Sequence, residues 1–272
     1  MASNQKVYKM MRNRKFLSVL GPSRSGTTVL AAIVDAHPQV KLAFEPFQSQ
    51  TADAIPDSYQ DLDNFESDMS TKYACTAAKV DVIGMKNTIG PTGASDWVKA
   101  TLMNFEKDAS IKMALIVRDP AETYLSNVDG DKKWWGNPDR KVSASDLIFH
   151  FELVAAALVE MKLLLEKYGG TLFSYKMLVT YPNVVLSAIM SSVGLEFQEA
   201  QLNYYKLNEH NKYWGDVGVN TNPQPLALEK YSQRREEAEI FMASISNQID
   251  QVRIDQIRRE IREIENEIVI IG

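Results

Sequence analysis

The chain has 272 residues, 45% hydrophobic and 24% charged, the composition of an ordinary globular protein. At ~150 residues per domain that is one large domain or a domain with an appendage, long enough to bury its apolar surface without disulfide or metal staples. Thirty basic against thirty-five acidic residues leave a net charge of −5, which argues against a general nucleic-acid binder but leaves room for a local basic pocket.

One cysteine, Cys75, excludes an internal disulfide framework and a cysteine-based zinc cluster. His37, His150 and His210 lie far apart and show no metal-ligand spacing. The N-terminal residues are polar and basic without an apolar core segment, and no apolar run approaches the length of a membrane span. The expectation is a cytoplasmic protein with no membrane partner, no nucleic-acid partner and no metal.

In chain order, residues 16–20 (Phe-Leu-Ser-Val-Leu) read as a short buried strand, and residues 21–26 (Gly-Pro-Ser-Arg-Ser-Gly) break it. Residues 27–36 are helical, with Val29, Leu30, Ile33 and Val34 on one face, and His37-Pro38 closes the helix because proline pushes its predecessor out of the α region. Residues 40–44 form a second strand. Residues 48–78 carry Asp53, Asp57, Asp61, Asp63, Glu66 and Asp68 and read as a surface excursion with short helical pieces. Residues 80–85 make a third strand, ending just before Lys86, and residues 95–107 a helix. Residues 113–117 (Met-Ala-Leu-Ile-Val) are the clearest buried strand. Asp119-Pro120-Ala121-Glu122 then starts a helix, with Asp as cap, Pro in the first position and Glu closing a capping box. A second box at residues 143–146 opens a long helix to about Tyr168, which Gly169-Gly170 ends. Residues 171–174 are a last short strand, residues 182–193 a further amphipathic helix, and the Asn-, Gly- and Pro-rich residues 211–225 a loop.

Strands alternating with helices predict βαβ units in an α/β fold with a mostly parallel sheet over residues 1–225, and the phosphate-type loop at residues 21–28 makes the expected fold three-layer α/β/α and P-loop-like. Residues 226–272 change character, turning rich in Arg, Glu and Ile. Ile254, Ile257, Ile261, Ile264, Ile268 and Ile271 repeat at 3,4,3,4,3, the spacing of a heptad seam. A long C-terminal helical extension is expected, either docked on its own domain or joining a second copy in a homo-oligomer. Every cofactor motif precedes it, so removal of residues 250–272 should leave the cofactor site intact but alter assembly or solubility.

The first chemical motif is Gly21-Pro22-Ser23-Arg24-Ser25-Gly26-Thr27-Thr28, set between a strand and a helix. It has the skeleton of a Walker A loop with Thr27 where the lysine belongs. Glycines let the backbone approach an anion, successive amides point inward, and the helix offers its positive end. Thr27 and Thr28 add hydroxyls, and Arg24 a fixed cation. Nucleoside-triphosphate enzymes use the missing lysine on the β- and γ-phosphates, so a ligand with one 5′-phosphate and a different transferable group fits better. The second motif is Arg118, at the end of the clearest strand, with Ser126 eight residues on. Ligands of open α/β sheets bind at that edge, and a guanidinium fork suits a phosphate. The competing reading of Arg118 is an ion pair with Asp119 or Glu122.

Residues 21–28 resemble the 5′-phosphosulfate loop of sulfotransferases that use 3′-phosphoadenosine-5′-phosphosulfate (PAPS), and Arg118 with Ser126 resembles their 3′-phosphate pair. Arg24 through Leu30, then Asp35-Ala36-His37-Pro38 and Glu45, are similar to the tyrosylprotein sulfotransferases in particular. The resemblance implies Glu45 as catalytic base, Lys86 as its assisting cation and Tyr175 as a cofactor contact. Chemically, Lys86 and Arg24 are then the catalytic cations for the charge developing on the sulfuryl and departing phosphate oxygens, and adenosine 3′,5′-bisphosphate is released with no metal needed. Tyr175-Lys176-Met177-Leu178 matches the family's Tyr-Glu-Asp-Leu segment with Lys176 in the acidic place. One cysteine and no anchor segment depart from the tyrosylprotein enzymes and argue against a secretory-pathway protein-tyrosine substrate, so soluble bacterial-type relatives with small-molecule or glycan acceptors are the safer comparison. The acceptor expected is a small-molecule, glycan or peptide hydroxyl, or less readily an amine.

Two alternatives stay open: a kinase-like phosphotransferase using ATP and magnesium, and a non-catalytic nucleotide-binding scaffold. His37, before a proline, and His150, among Ile148, Phe149 and Phe151, read as structural. His210, Trp134-Trp135 and Trp214-Gly215-Asp216 are candidate ligand contacts.

Overall fold

Among the described residues the apolar runs fold into one six-stranded sheet. A computed structural model describes residues 14–45, 59–73, 80–90, 94–133, 136–206 and 227–272. The strands are β1 (Arg14–Gly21), β2 (Val40–Phe44), β3 (Val82–Thr88), β4 (Ala109–Val117), β5 (Gly170–Ser174) and β6 (Val269–Ile271), in spatial order β2-β3-β1-β4-β5-β6. Every pair is parallel except β5–β6. The helices are α1 (Thr27–Asp35), α2 (Leu62–Tyr73), α3 (Ala94–Phe105), α4 (Pro120–Lys133), α5 (Ala144–Tyr168), α6 (Tyr175–Thr180), α7 (Pro182–Ser192), α8 (Leu228–Ile245) and α9 (Gln251–Ile264), with a 3₁₀ segment at Glu199–Lys206.

Alternation along the central strands divides the core in two. Phe16 and Leu20 of β1, with Met113, Leu115 and Val117 of β4, face α2, α3, α5, α8 and α9. Leu17 and Val19 of β1, with Ala114 and Ile116 of β4, face α1, α7 and the 3₁₀ segment. The result is a three-layer α/β/α architecture with a mostly parallel sheet and a long C-terminal helical segment, α8 and α9. Among the described residues no helix is long and apolar enough to cross a membrane.

Local signals set most boundaries. Ser143 caps α5 by accepting from the Asp146 amide at 3.1 Å, and Gly169 ends that helix at φ 71°. Several expectations need correction. The strand expected over residues 80–85 runs to Thr88, because pairing with β1 continues to Gly21 opposite Thr88. The described part of the acidic excursion is helical, as expected, but does not stay at the surface: Leu62, Phe65 and Met69 of α2 are buried in the core, and Glu66 pairs with Arg14. Residues 175–180 form a short helix whose cap, Ser174, accepts from the Met177 amide at 3.1 Å.

The C-terminal segment also differs from a single seam. Ile254, Ile257, Ile261 and Ile264 lie on α9 and are buried in the chain's own core. The helix stops there, and the last seam member, Ile271, lies in β6, opposite Gly170 of β5. A helix docked on its own domain and a coiled-coil arm share the same apolar spacing, and here the edge of β5 decides the outcome.

Candidate active site

In an open parallel sheet, ligands bind at the carboxyl edge where strand order reverses. The chain leaves β1 for β2 and β3 on one side and then crosses to β4 on the other, so that point lies at the end of β1. The loop from Pro22 to Gly26 sits there. It turns tightly, with the Ser25 amide donating to the Pro22 carbonyl at 3.1 Å. Gly26 stands before α1 at φ 104°, and no side chain caps that helix. Ser25 and Thr27 are buried, Thr28 is half-buried and Ser23 is exposed. Ser25 Oγ is buried without a hydrogen-bond partner among the described residues.

Glycine is required at position 26 for two reasons. Its φ lies in the left-handed region, and a β-carbon would come within 2.5 Å of the Tyr175 ring. Tyr175 therefore closes one side of the loop. Its ring also carries the Arg118 guanidinium, 4.5 Å from the centroid.

α4 closes the other side. Arg24 Nε donates to Ser126 Oγ at 3.1 Å, and Ser23 Oγ to Asn127 Oδ1 at 3.3 Å. Arg118, leaving β4, donates to Glu122 Oε2 at 2.7 Å. The capping box expected at Asp119 is thus half formed. Asp119 Oδ1 accepts from the Ala121 and Glu122 amides at 2.9 and 3.4 Å, but the Glu122 carboxylate turns to Arg118. Burial pushes the Glu122 carboxyl up, and Arg118 offsets that only in part.

Glu45 and Lys86 lie on the β2–β3 side of the same edge. Lys86 sits inside β3, opposite Val19 of β1 and Phe44 of β2, with its side chain 1% exposed. Glu45 follows β2; its amide donates to the Lys86 carbonyl at 2.7 Å and its carboxylate pairs with the Lys86 ammonium. Arg24 and Glu45 are the two described non-glycine residues at positive φ, 65° and 46°. Such conformations cost about 1–3 kcal/mol each and concentrate at functional sites.

Arg24, Lys86, Arg118, Ser126, Tyr175 and Glu45 thus gather from five segments at one edge. His37 and His150 do not join them. His37 Nδ1 accepts from the Gln39 amide at 3.1 Å and Nε2 lies 3.2 Å from the Glu196 carbonyl. His150 Nε2 meets Thr123 Oγ1 at 2.7 Å, and burial lowers its pKa to about 4. His210, Trp134, Trp135, Trp214, Gly215 and Asp216 lie outside the described residues. Among the described residues, no group of three or more His, Cys, Asp and Glu gathers as a metal site would need.

Sequence reasoning missed the residues beneath Arg118. Arg258 of α9 donates from Nε to Asp119 Oδ2 at 2.8 Å and from Nη2 to Glu239 Oε1 at 2.6 Å. Burial works against its charge, but Asp119 and Glu239 more than offset it and raise its pKa. Arg235 of α8 holds Glu265 at 3.1 Å. The available signal was a charge on an apolar face, since Arg258 stands between Ile254, Ile257 and Ile261.

The chain's fold is similar to that of the sulfotransferase domain from the curacin biosynthetic pathway. The match has a TM-score of 0.50 and 16% identity, covering 79% of this chain and 85% of that one. The sulfotransferase domain of the Synechococcus PCC 7002 olefin synthase matches with a TM-score of 0.49 at 18% identity, over 84% of this chain and 94% of that one. Mouse sulfotransferase SULT7A1 in complex with PAP matches with a TM-score of 0.47 at 15% identity, over 92% and 89%. No family pattern matches the chain, and no curated protein matches it in sequence. At these identities the likeness is one of fold.

Proposed function

We propose that the chain transfers a sulfuryl group from PAPS to a hydroxyl acceptor and releases adenosine 3′,5′-bisphosphate. The observation that carries this reading is the pairing of Glu45 with buried Lys86 on the same sheet edge as a phosphate-type loop lacking the Walker lysine. The fold likeness to a sulfotransferase domain supports it. The residues present suit such a donor. The uncapped α1 terminus and loop amides suit a 5′-phosphate, and Arg118 with Ser126 suits a 3′-phosphate. Buried Ser25 Oγ is a spare polar group beneath the loop.

PAPS, when bound, supplies a sulfuryl group on a good leaving phosphate. The remaining work falls to the chain. Glu45 takes the proton of the acceptor hydroxyl as the new oxygen–sulfur bond forms and the bond to the phosphate oxygen breaks. Lys86 and Arg24 stabilise the charge that develops on the sulfuryl and departing phosphate oxygens. Thr27, Thr28 and the loop amides hold the donor in line, with Pro22 and Ser23 shaping the turn and Tyr175 bracing it at Gly26.

Calorimetry tests the reading. Adenosine 3′,5′-bisphosphate should bind without magnesium and more tightly than ATP with magnesium. Arg118→Ala should weaken the bisphosphate by ~1.5–3 kcal/mol and 5′-AMP much less, since it removes a charge-assisted bond to one phosphate. Tighter ATP–magnesium binding in the wild type would overturn the sulfotransferase reading in favour of a kinase-like enzyme. Bisphosphate binding with no turnover of any hydroxyl acceptor would favour a scaffold.

A further inference from the structure

The C-terminal helix α9 and the two residues that follow it touch the candidate site at two places, each one residue from a side chain that forms it. The first is Asp119, next to Arg118. One Asp119 oxygen caps α4 and the other accepts from Arg258 Nε at 2.8 Å; the two side chains are 6% and 7% exposed. The second is Ser174, next to Tyr175. Its hydroxyl donates to the Glu265 carbonyl at 3.2 Å while accepting from the Met177 amide, and Lys176 donates to Asn266 Oδ1 at 2.8 Å. Arg118 and Tyr175 are themselves stacked at 4.5 Å. Helix α9, through Arg258, and the turn that ends it, through Glu265 and Asn266, therefore grip the chain on both sides of the stacked pair.

Ile254, Ile257, Ile261 and Ile264 already bury the helix. A buried ion pair adds little net stability, because desolvation consumes most of the attraction. What it does supply is a fixed rotation and height for the helix against its partner. Arg258 is held from two sides, by Asp119 of the strand–helix turn and by Glu239 of α8.

We infer that Arg258 is a positioning residue for the Arg118 anion site: by locking Asp119 it fixes the first turn of α4 and so the aim of the Arg118 fork. The inference rests on reading Arg118 as the 3′-phosphate ligand. Through the same contacts, ligand at Arg118 must in turn stabilise α9, since coupling between two sites is reciprocal.

The test uses the full chain, with adenosine 3′,5′-bisphosphate and 5′-AMP as probes. In the wild type, the bisphosphate should slow amide exchange within Gln251–Ile264, and 5′-AMP should not. Arg258→Met should weaken the bisphosphate by about tenfold and 5′-AMP by less than about twofold. Arg258→Lys should recover part of that loss, because lysine keeps the charge and loses the two-sided grip. Arg258→Met leaves Asp119 as a buried charge, so the paired variant Asp119→Asn with Arg258→Met is made as well; it keeps a capping oxygen without the charge. It should show the same selective loss. Equal protection of α9 by both nucleotides, or unchanged bisphosphate affinity in a folded variant, overturns the positioning role. A wild type that does not prefer the bisphosphate over 5′-AMP overturns the reading of Arg118 instead.

Discussion

Replacing Glu45 by Gln separates chemistry from binding. Glu45 and Lys86 form an ion pair in which the lysine is 1% and the glutamate 10% exposed. Removing one partner of a buried pair costs about 3–5 kcal/mol. Glutamine keeps an oxygen that accepts from the ammonium, and a hydrogen bond to a charged group retains about 1.5–3 kcal/mol of that. The net stability loss is then about 2 kcal/mol, or a melting shift of ~4–8 °C for a chain of this size. The backbone bond from the Glu45 amide to the Lys86 carbonyl is untouched, so the end of β2 should keep its place. Turnover should fall by ~10²–10⁴, the contribution of a positioned base. Bisphosphate affinity should not change, because in the proposed mechanism the carboxylate serves the acceptor. The assay pairs turnover of a hydroxyl acceptor with calorimetry of the bisphosphate and a thermal melt. A folded Glu45→Gln enzyme with near-normal turnover refutes the base assignment. A loss of bisphosphate affinity that matches the loss of turnover refutes the division of labour between the two sides of the site.

Gly26→Ala meets both a left-handed backbone and the Tyr175 ring, so it should cost about 1–3 kcal/mol in a melt and weaken bisphosphate binding; an unperturbed variant would mean the loop and Tyr175 do not touch. Ile261→Ala removes a side chain buried in the core and should cost about 2–5 kcal/mol, seen in denaturant unfolding. Deleting residues 250–272 removes β6, Arg258 and the four buried isoleucines together, and should abolish cooperative unfolding; a soluble truncation with normal bisphosphate affinity would restore the view of an appended arm. Burial lowers the His150 pKa to about 4, from an ordinary 6.5, so the unfolded chain binds its proton first. Stability from this group is complete above pH ~6.5 and declines as pH falls towards 4, by up to about 3 kcal/mol. His150→Gln should flatten that part of the acid limb, and an unchanged limb would remove His150 from it.

Local signals made much of the molecule legible. The strand–loop–helix from β1 to α1, the proline-limited end of α1, the Ser143 cap of α5 and the Gly169 stop all follow from residues within a few positions of each other. So does the order of glycines, hydroxyls and Arg24 in the loop, a run of consecutive residues. The competing reading of Arg118 was also visible, since Glu122 lies one helical turn away. Closure of the chain decided the rest. Val269–Ile271 carries the same apolar residues as the helix before it and becomes a strand only because β5 offers a free edge. Lys86 stays inside β3 because β1 keeps pairing past it. The bond from Arg258 to Asp119 joins residues 139 positions apart. Spacing along a sequence encodes which face of an element is apolar, but the surface that covers that face, and the charge that meets a charge upon it, come from segments with no local relation to it.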